Sequence, residues 1–139
     1  MHTKTLGIGI ALTLGLALGP SACSVTKQAE VCVQANDGQQ VTVVGYVNVA
    51  PFTLVSGNDF RIEVVESMSE RDGIGAYVKV GTGPNTMKAL PGEFSASDVE
   101  LTLADGSTEG YGDRVAFTGR LSVHGDSCNI YDVETLGAP

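Results

Sequence analysis

GDRVAFTGRLSV, residues 112–123, is the stretch that decides the fold class of this chain. Val115, Phe117 and Gly119 alternate with their neighbours, which is typical of a β-strand with one buried face. The Gly-Asp pair that opens the stretch is typical of a turn into a strand. Gly119 permits the bend and the close approach that a curled strand needs. The stretch therefore predicts a strongly curved strand in a small, mostly β protein.

Alternating apolar residues predict further strands, separated by turns rich in Gly, Pro and Asp. Gly45 lies in the middle of the first of them, and we interpret it as a bend or bulge that lets the strand curl. Residues 81–97 contain two prolines and no clear period, which predicts a loop with one helical turn at residues 87–90. The further predicted strands cover residues 40–49, 60–65, 74–80, 99–103 and 129–136.

Two phrases, VVGYV at residues 43–47 and GDRVAFTGRL at residues 112–121, resemble those of tRNA-anticodon-like and exported OB-type domains. The resemblance implies an all-β domain, a small five-stranded OB-like barrel over residues 40–137, with a β-sandwich as the alternative. It also implies a binding scaffold, because OB domains present the outer face of strands two and three to a ligand. That predicted face carries the candidate binding residues Arg61, Tyr77 and Lys79, together with Glu63 and Val65.

Residues 1–22 have the three-part layout of a signal peptide, which is removed on export. A short cationic start, MHTK, precedes an uncharged apolar run at residues 6–18, and small residues follow. The run is shorter than the roughly 20 apolar residues of a membrane-spanning helix. A permanent transmembrane anchor is therefore the weaker interpretation.

Ser21, Ala22 and Cys23 resemble the end of the bacterial lipobox, in which the cysteine is acylated and becomes the new N-terminus. The resemblance implies a palmitate-type lipoprotein of the cell envelope, anchored to a membrane and facing the periplasm or the exterior. Residues 23–39, polar and without a period, would then form the lipid-anchored tether. Ordinary cleavage after Gly19 is the alternative, and it would give a secreted protein.

Once Cys23 carries a lipid, Cys32 and Cys128 remain as an even pair in an oxidising compartment. This predicts a disulfide bond that closes a loop of nearly the whole domain. Two unpaired cysteines are the alternative, because sequence spacing does not show how close their Cα atoms lie.

The charge of the chain excludes a role that depends on a basic surface. The net charge is −8, and removal of residues 1–22 takes away one of the 8 basic residues and none of the 16 acidic ones, which leaves −9. Non-specific binding of nucleic acid depends on Lys and Arg, and here these residues are dispersed. No nucleic-acid partner is predicted.

Metal and cofactor sites are not predicted either. Two cysteines and the single histidine that follows the leader, His124, do not make a usual zinc site. Residues 105–116 partly resemble a calcium-binding loop, but Ala116 stands at the twelfth position, where the EF-hand has a bidentate Glu. We interpret this segment as a Gly-rich surface turn.

No catalytic residue is predicted. His124, Asp126 and Ser127 are the residue types of a hydrolase triad, but neighbours in a tight turn rarely point at one spot. The sequence therefore predicts a cell-envelope lipoprotein whose small acidic β domain is a binding or adaptor module for an envelope protein, a glycan or a small molecule. A small secreted or envelope enzyme and a purely structural envelope protein are the alternatives.

Overall fold

The computed structural model describes residues 24–50, 55–56 and 58–139. The predicted signal peptide and Cys23 lie outside these ranges, as does most of the turn predicted after residue 50. The described chain has an α-helical turn, α1 (Gln28–Val31), and two 3-10 turns, Gln34–Asn36 and Ala96–Asp98. Its strands are β1 (Gln40–Asn48), β2 (Val55–Ser56), β3 (Asp59–Val65), β4 (Ile74–Lys79), β5 (Thr86–Met87), β6 (Glu100–Thr102), β7 (Thr108–Gly110), β8 (Arg114–His124) and β9 (Ser127–Gly137).

Five of these strands close into a barrel. β1 pairs antiparallel with β8 along most of its length and with β3 at its end, and β3 pairs antiparallel with β4. β4 and β9 run parallel, and β9 returns antiparallel to β8. The closed order β1-β3-β4-β9-β8 confirms the predicted five-stranded OB-like barrel and rules out the sandwich alternative.

Gly45 is the residue that allows β1 to curl between its two partners. Tyr46, the next residue, pairs with Arg114 of β8 and with Val65 of β3. A Cβ atom on Gly45 would lie only 2.6 Å from Val64 Cγ1, so a side chain at this position would push β3 away. The pairing of β1 with β8 runs through Gly45 without a register shift, so there is no bulge at this residue, and β1 begins to pair with β3 directly after it. At Gly119, where we predicted a bend, the pairing of β8 with β9 shifts register between Thr118 and Arg120.

A small second sheet, β5-β6-β7, adds to the core of the barrel. Met87 of β5 pairs with Leu101 of β6, and both side chains are completely buried. The helical turn predicted at residues 87–90 is therefore wrong, because an extended backbone at Met87 allows it to pair with β6. The two sheets share one apolar core, whose largest side chains are Phe60, Phe117, Ile62, Ile74, Met87, Leu101, Leu103, Leu121, Ile130 and Leu136.

The segment before β1, which we predicted as a tether, lies against the barrel from Thr26 onward. Thr26 N donates a hydrogen bond of 2.8 Å to Val44 O, and Val44 N donates one of 2.8 Å to Thr26 Oγ1. At the other end of the segment, Val123 N donates a 2.8 Å hydrogen bond to Asp37 Oδ1. These bonds pair backbone groups of the barrel strands, so the segment belongs to the folded domain.

The predicted disulfide bond between Cys32 and Cys128 is confirmed. The two Cα atoms lie 5.7 Å apart, and the residues are separated by 96 positions in the sequence. The bond fixes the N-terminal segment, just after α1, to the beginning of β9. Among the described residues, none of the helical segments has the length and apolar character needed to cross a membrane.

Candidate functional site

A polar cleft of 520 Å³ lies at one end of the barrel. It is bounded by β3, by the connection from β3 to β4 and by the β8–β9 hairpin, with α1 at its rim. This volume is within the roughly 300–1,000 Å³ of ligand pockets in proteins. Its lining includes the side chains of Arg61, Glu63, Asp72, Asp126, Ser127 and Asn129.

The cleft contains a buried charge. Within the described residues, Glu63 and Asn129 are the only polar side chains that are buried, with exposed fractions of 3% and 7%, and both line the cleft. The Glu63 carboxylate forms an ion pair with the Arg61 guanidinium and accepts a 3.3 Å hydrogen bond from Gly73 N. Burial of a carboxylate is costly unless the charge is paired. The fold thus places a buried carboxylate and its arginine partner in the wall of a cavity.

Arg61 connects two strands that are not neighbours. Its Nη2 donates a 3.4 Å hydrogen bond to Asn129 Oδ1 on β9, and Asn129 Nδ2 donates one of 2.9 Å to Ser127 Oγ. Between them lies Gly75 of β4, which pairs with Glu63 on one side and with Asn129 on the other. A Cβ atom on Gly75 would lie 2.7 Å from Arg61 Nη2, so the glycine gives the guanidinium room to cross β4.

A stacked pair of tyrosines, one half-buried and one exposed, lies beside the cleft. The rings of Tyr77 and Tyr131 are stacked, with centroids 4.8 Å apart and an interplanar angle of 17°. Tyr77 lies directly opposite Arg61 on β3, and Tyr131 lies opposite Arg120 on β8. Tyr131 is 46% exposed, although large aromatic side chains are usually well covered. The outer surface therefore carries a row of Arg61, Tyr77, Tyr131 and Arg120 across four strands.

The structure places the predicted face residues as follows. Arg61 and Tyr77 lie together at the border between the cleft and the tyrosine pair, whereas Lys79 is exposed one row further from the cleft, opposite Asp59. Two other residues assigned to this face, Glu63 and Val65, are buried, so that part of the prediction is wrong.

The N-terminal segment is bonded to the residue that follows β3. Gln28 N donates a 2.6 Å hydrogen bond to Glu66 Oε1, which places α1 against the end of β3. Lys27 Nζ lies 3.6 Å from Glu66 Oε2 and adds an ion pair at the same place.

A second cavity of 350 Å³ lies near the opposite ends of β3 and β4. Its lining is mainly apolar and includes Phe60, Met87 and Leu90, with Phe94 at an exposed fraction of 39%. Phe94 contacts Phe60 edge to face, with ring centroids 5.8 Å apart. Few polar groups there can orient a ligand, so we place the candidate site in the polar cleft.

The segment that partly resembles a calcium loop forms a surface turn. Ser107 donates hydrogen bonds from its Oγ (2.6 Å) and its backbone N (2.9 Å) to Asp105 Oδ1, and these bonds lower the pKa of Asp105. Across the described ranges, no group of three or more His, Cys, Asp or Glu side chains is arranged to hold a metal ion.

The titration of Glu109 makes the stability of the folded state depend on pH. Its hydrogen bond with Asp113 raises its pKa above the ordinary value of 4.5, and burial and the charge of Asp113 act in the same direction. The folded state therefore binds a proton that the unfolded state has already released, and stability falls as pH rises through this range. We expect Glu109→Gln to raise the melting temperature at pH 7 and to leave it unchanged near pH 3, as measured by circular dichroism. A lower melting temperature at pH 7 would contradict this assignment.

The hairpin residues considered as a possible triad lie in one tight turn, in which His124 pairs with Ser127 across the hairpin. His124 is exposed at the end of β8, whereas Ser127 Oγ accepts its hydrogen bond from Asn129 in the cleft wall. Sequence reasoning missed Asn129 and Tyr131, and the available signal was only that the apolar Ile130 lies between these two residues with polar groups. No protein-family model, no curated protein and no solved structure matches this chain.

Proposed function

We propose that this chain is an exported lipoprotein, anchored through Cys23, whose barrel is a binding module of the cell envelope. The observation that supports the proposal is the position of the ion pair between Arg61 and the buried carboxylate of Glu63. Arg61 and Glu63 lie in the wall of an open cleft, and the stacked pair of Tyr77 and the exposed Tyr131 lies beside them. A ligand seated in the cleft would contact both features.

A purely structural role explains these features less well. Replacing a buried ion pair by apolar side chains is often neutral or stabilising, so a protein under selection for stability alone has little need of one. Exposed aromatic side chains next to a concave polar surface are typical of binding sites, where they give contact area at low entropic cost. These features support recognition over a purely structural role.

The short distance between the anchor and the barrel fits a role at the membrane surface. Only Ser24 and Val25 separate Cys23 from Thr26, the first residue bonded to the barrel. An extended chain covers at most about 3.3–3.6 Å per residue, so a lipid on Cys23 would hold the domain within roughly 10 Å of the membrane. We therefore expect its partner to be a component of the envelope close to the membrane.

Site-specific photo-cross-linking tests this function. A photoreactive phenylalanine analogue at position 131 is expected to give a discrete adduct in envelope membranes, because Tyr131 is exposed beside the cleft. Position 111 is the matched control, since Tyr111 is equally exposed, at 45%, but lies in the turn before β8. Adducts of equal yield at both positions, or at neither, would contradict a binding role for this face.

The anchor requires its own measurement. Intact mass analysis of the protein extracted from membranes is expected to show a chain that begins at Cys23 and carries acyl groups. A chain without lipid that begins after Gly19 or Ala22 would identify a secreted protein and would refute the anchoring part of the proposal.

A further inference from the structure

We infer that the disulfide bond between Cys32 and Cys128 is a redox switch that holds α1 at the rim of the polar cleft. Its reduction releases α1, opens the cleft and lowers the binding of the ligand. The reductant is a dithiol protein of the envelope. This inference rests on the proposed binding function and adds the regulation of that same site.

The disulfide bond lies between two open cavities. Cys128 lines the polar cleft, and Cys32 lines a neighbouring cavity of 400 Å³. Gln28 of α1 lines both cavities. Cys128 is 8% exposed, whereas Cys32 is half-buried. Since reduction requires a thiolate to reach one of the two sulfur atoms, the second cavity gives a dithiol its approach to Cys32.

The segment that the bond fixes adds little to the core of the barrel. Neither α1 nor the 3-10 turn at Gln34–Asn36 contains a buried residue. Val31 and Cys32 are only partly buried against the core. The strands begin at Gln40, after this segment. The barrel can therefore keep its paired strands and its core when the segment leaves.

Noncovalent contacts alone hold residues 26–33 weakly. Thr26 exchanges two hydrogen bonds with Val44, and Gln28 N donates one to Glu66. Ordering about eight residues costs more conformational entropy than a few hydrogen bonds at the surface offset. These residues therefore leave the barrel once the covalent bond is broken.

Release of α1 removes one side of the cleft. Gln28 lines the cleft, and its backbone is bonded to Glu66, directly after β3. A ligand seated in the cleft then loses its contacts on that side. A preformed site binds more tightly than one that must be ordered when the ligand arrives, so the reduced form has the lower affinity.

The chemical step is thiol–disulfide exchange. One thiolate of the dithiol attacks Sγ of Cys32 to form a mixed disulfide, and Cys128 leaves as a thiolate that takes up a proton. The second thiolate of the dithiol then breaks the mixed disulfide, and Cys32 leaves and is protonated in turn. Two electrons and two protons pass to the cysteine pair, and the dithiol becomes a disulfide.

Hydrogen exchange measured by mass spectrometry tests the release. The protein in a non-ionic detergent is compared before and after reduction with dithiothreitol. After reduction, we expect the amides of residues 26–33 to exchange as in an unfolded chain, whereas Leu121 N, bonded to Gln39 O, stays protected at least about hundredfold. Protection that persists in both regions, or that is lost from both, would overturn the inference.

Photo-cross-linking at position 131 in envelope membranes tests the effect on binding. We expect dithiothreitol to lower the adduct yield at least about fivefold, which is the lower end of usual coupling between two sites. The matched control combines Cys32→Ser with Cys128→Ser, which removes the bond permanently. Its yield should be low both with and without dithiothreitol.

The remaining outcomes separate this inference from the proposed function. Equal adduct yields in the oxidised and the reduced protein would show that the redox inference is wrong and that the binding function stands. If no adduct forms at position 131 in either state, the binding function is wrong, and the regulation that rests on it is wrong as well. A high yield in the double serine variant that falls with dithiothreitol would place the reducible bond in the partner and overturn the inference.

Discussion

Replacing Cys32 and Cys128 together by serine is expected to lower the free energy of unfolding by about 4 kcal/mol. The disulfide bond joins residues 96 positions apart, so it restricts almost the whole unfolded domain. In the chain-entropy model, a loop of about 100 residues gives a stabilisation near 4.7 kcal/mol, and native-state strain reduces it. Since small domains have only about 5–15 kcal/mol of stability in total, the variant should be close to unfolding at 37 °C.

Urea denaturation followed by circular dichroism measures this effect. The unmodified protein in dithiothreitol should match the double variant, and Cys23→Ser, which leaves the disulfide bond intact, should match the unmodified protein. A loss below about 1 kcal/mol in the double variant would show that the N-terminal segment stays on the barrel without the covalent bond.

Glu63→Gln is expected to lower the free energy of unfolding by about 2 kcal/mol. The substitution keeps the shape of the side chain but leaves the Arg61 guanidinium without its counter-charge. Loss of one partner of a fully buried ion pair costs about 3–5 kcal/mol, and we expect less here because Arg61 is 26% exposed and water can screen it. Denaturation in urea at pH 7 gives the value.

Two further variants show whether the charge is responsible. Glu134→Gln removes an exposed carboxylate that accepts a hydrogen bond from Gln40, and it should cost less than about 0.5 kcal/mol. Arg61→Met combined with Glu63→Leu removes both charges and should recover most of the stability that Glu63→Gln loses. If the double variant is as unstable as Glu63→Gln, the loss comes from packing and the ion-pair argument fails.

Local patterns in the sequence predict the barrel strands well. The alternation of apolar residues in residues 112–123 identifies the buried face of that strand, and the glycine in residues 43–47 identifies where the first strand curls. Both signals depend only on neighbours along one strand. The extended backbone at Met87 was missed because its cause is distant: pairing with Leu101 outweighs the local preference for a turn. The polar sequence of residues 24–39 likewise gives no sign that its backbone bonds to β1 and β8.

The candidate site was predicted only in part. Arg61 and Tyr77 were found because they alternate with buried residues on adjacent strands. Tyr131 was missed because it meets Tyr77 only when the barrel closes with β9 parallel to β4, a long-range arrangement that local period does not encode. Glu63 was expected to be exposed because a polar residue in an alternating strand usually faces water, and the pattern does not show what packs on that side.

The disulfide bond also determines how the molecule would carry mechanical load. Cys128 lies in the wall of the cleft, and its partner Cys32 lies just after α1, near the proposed lipid anchor. Force that reaches Cys128 would pass through Cys32 and residues 24–31 to the proposed anchor. That covalent route avoids the paired strands β1, β3 and β8. The barrel would then stay folded under tension that would otherwise peel β1 from its neighbours.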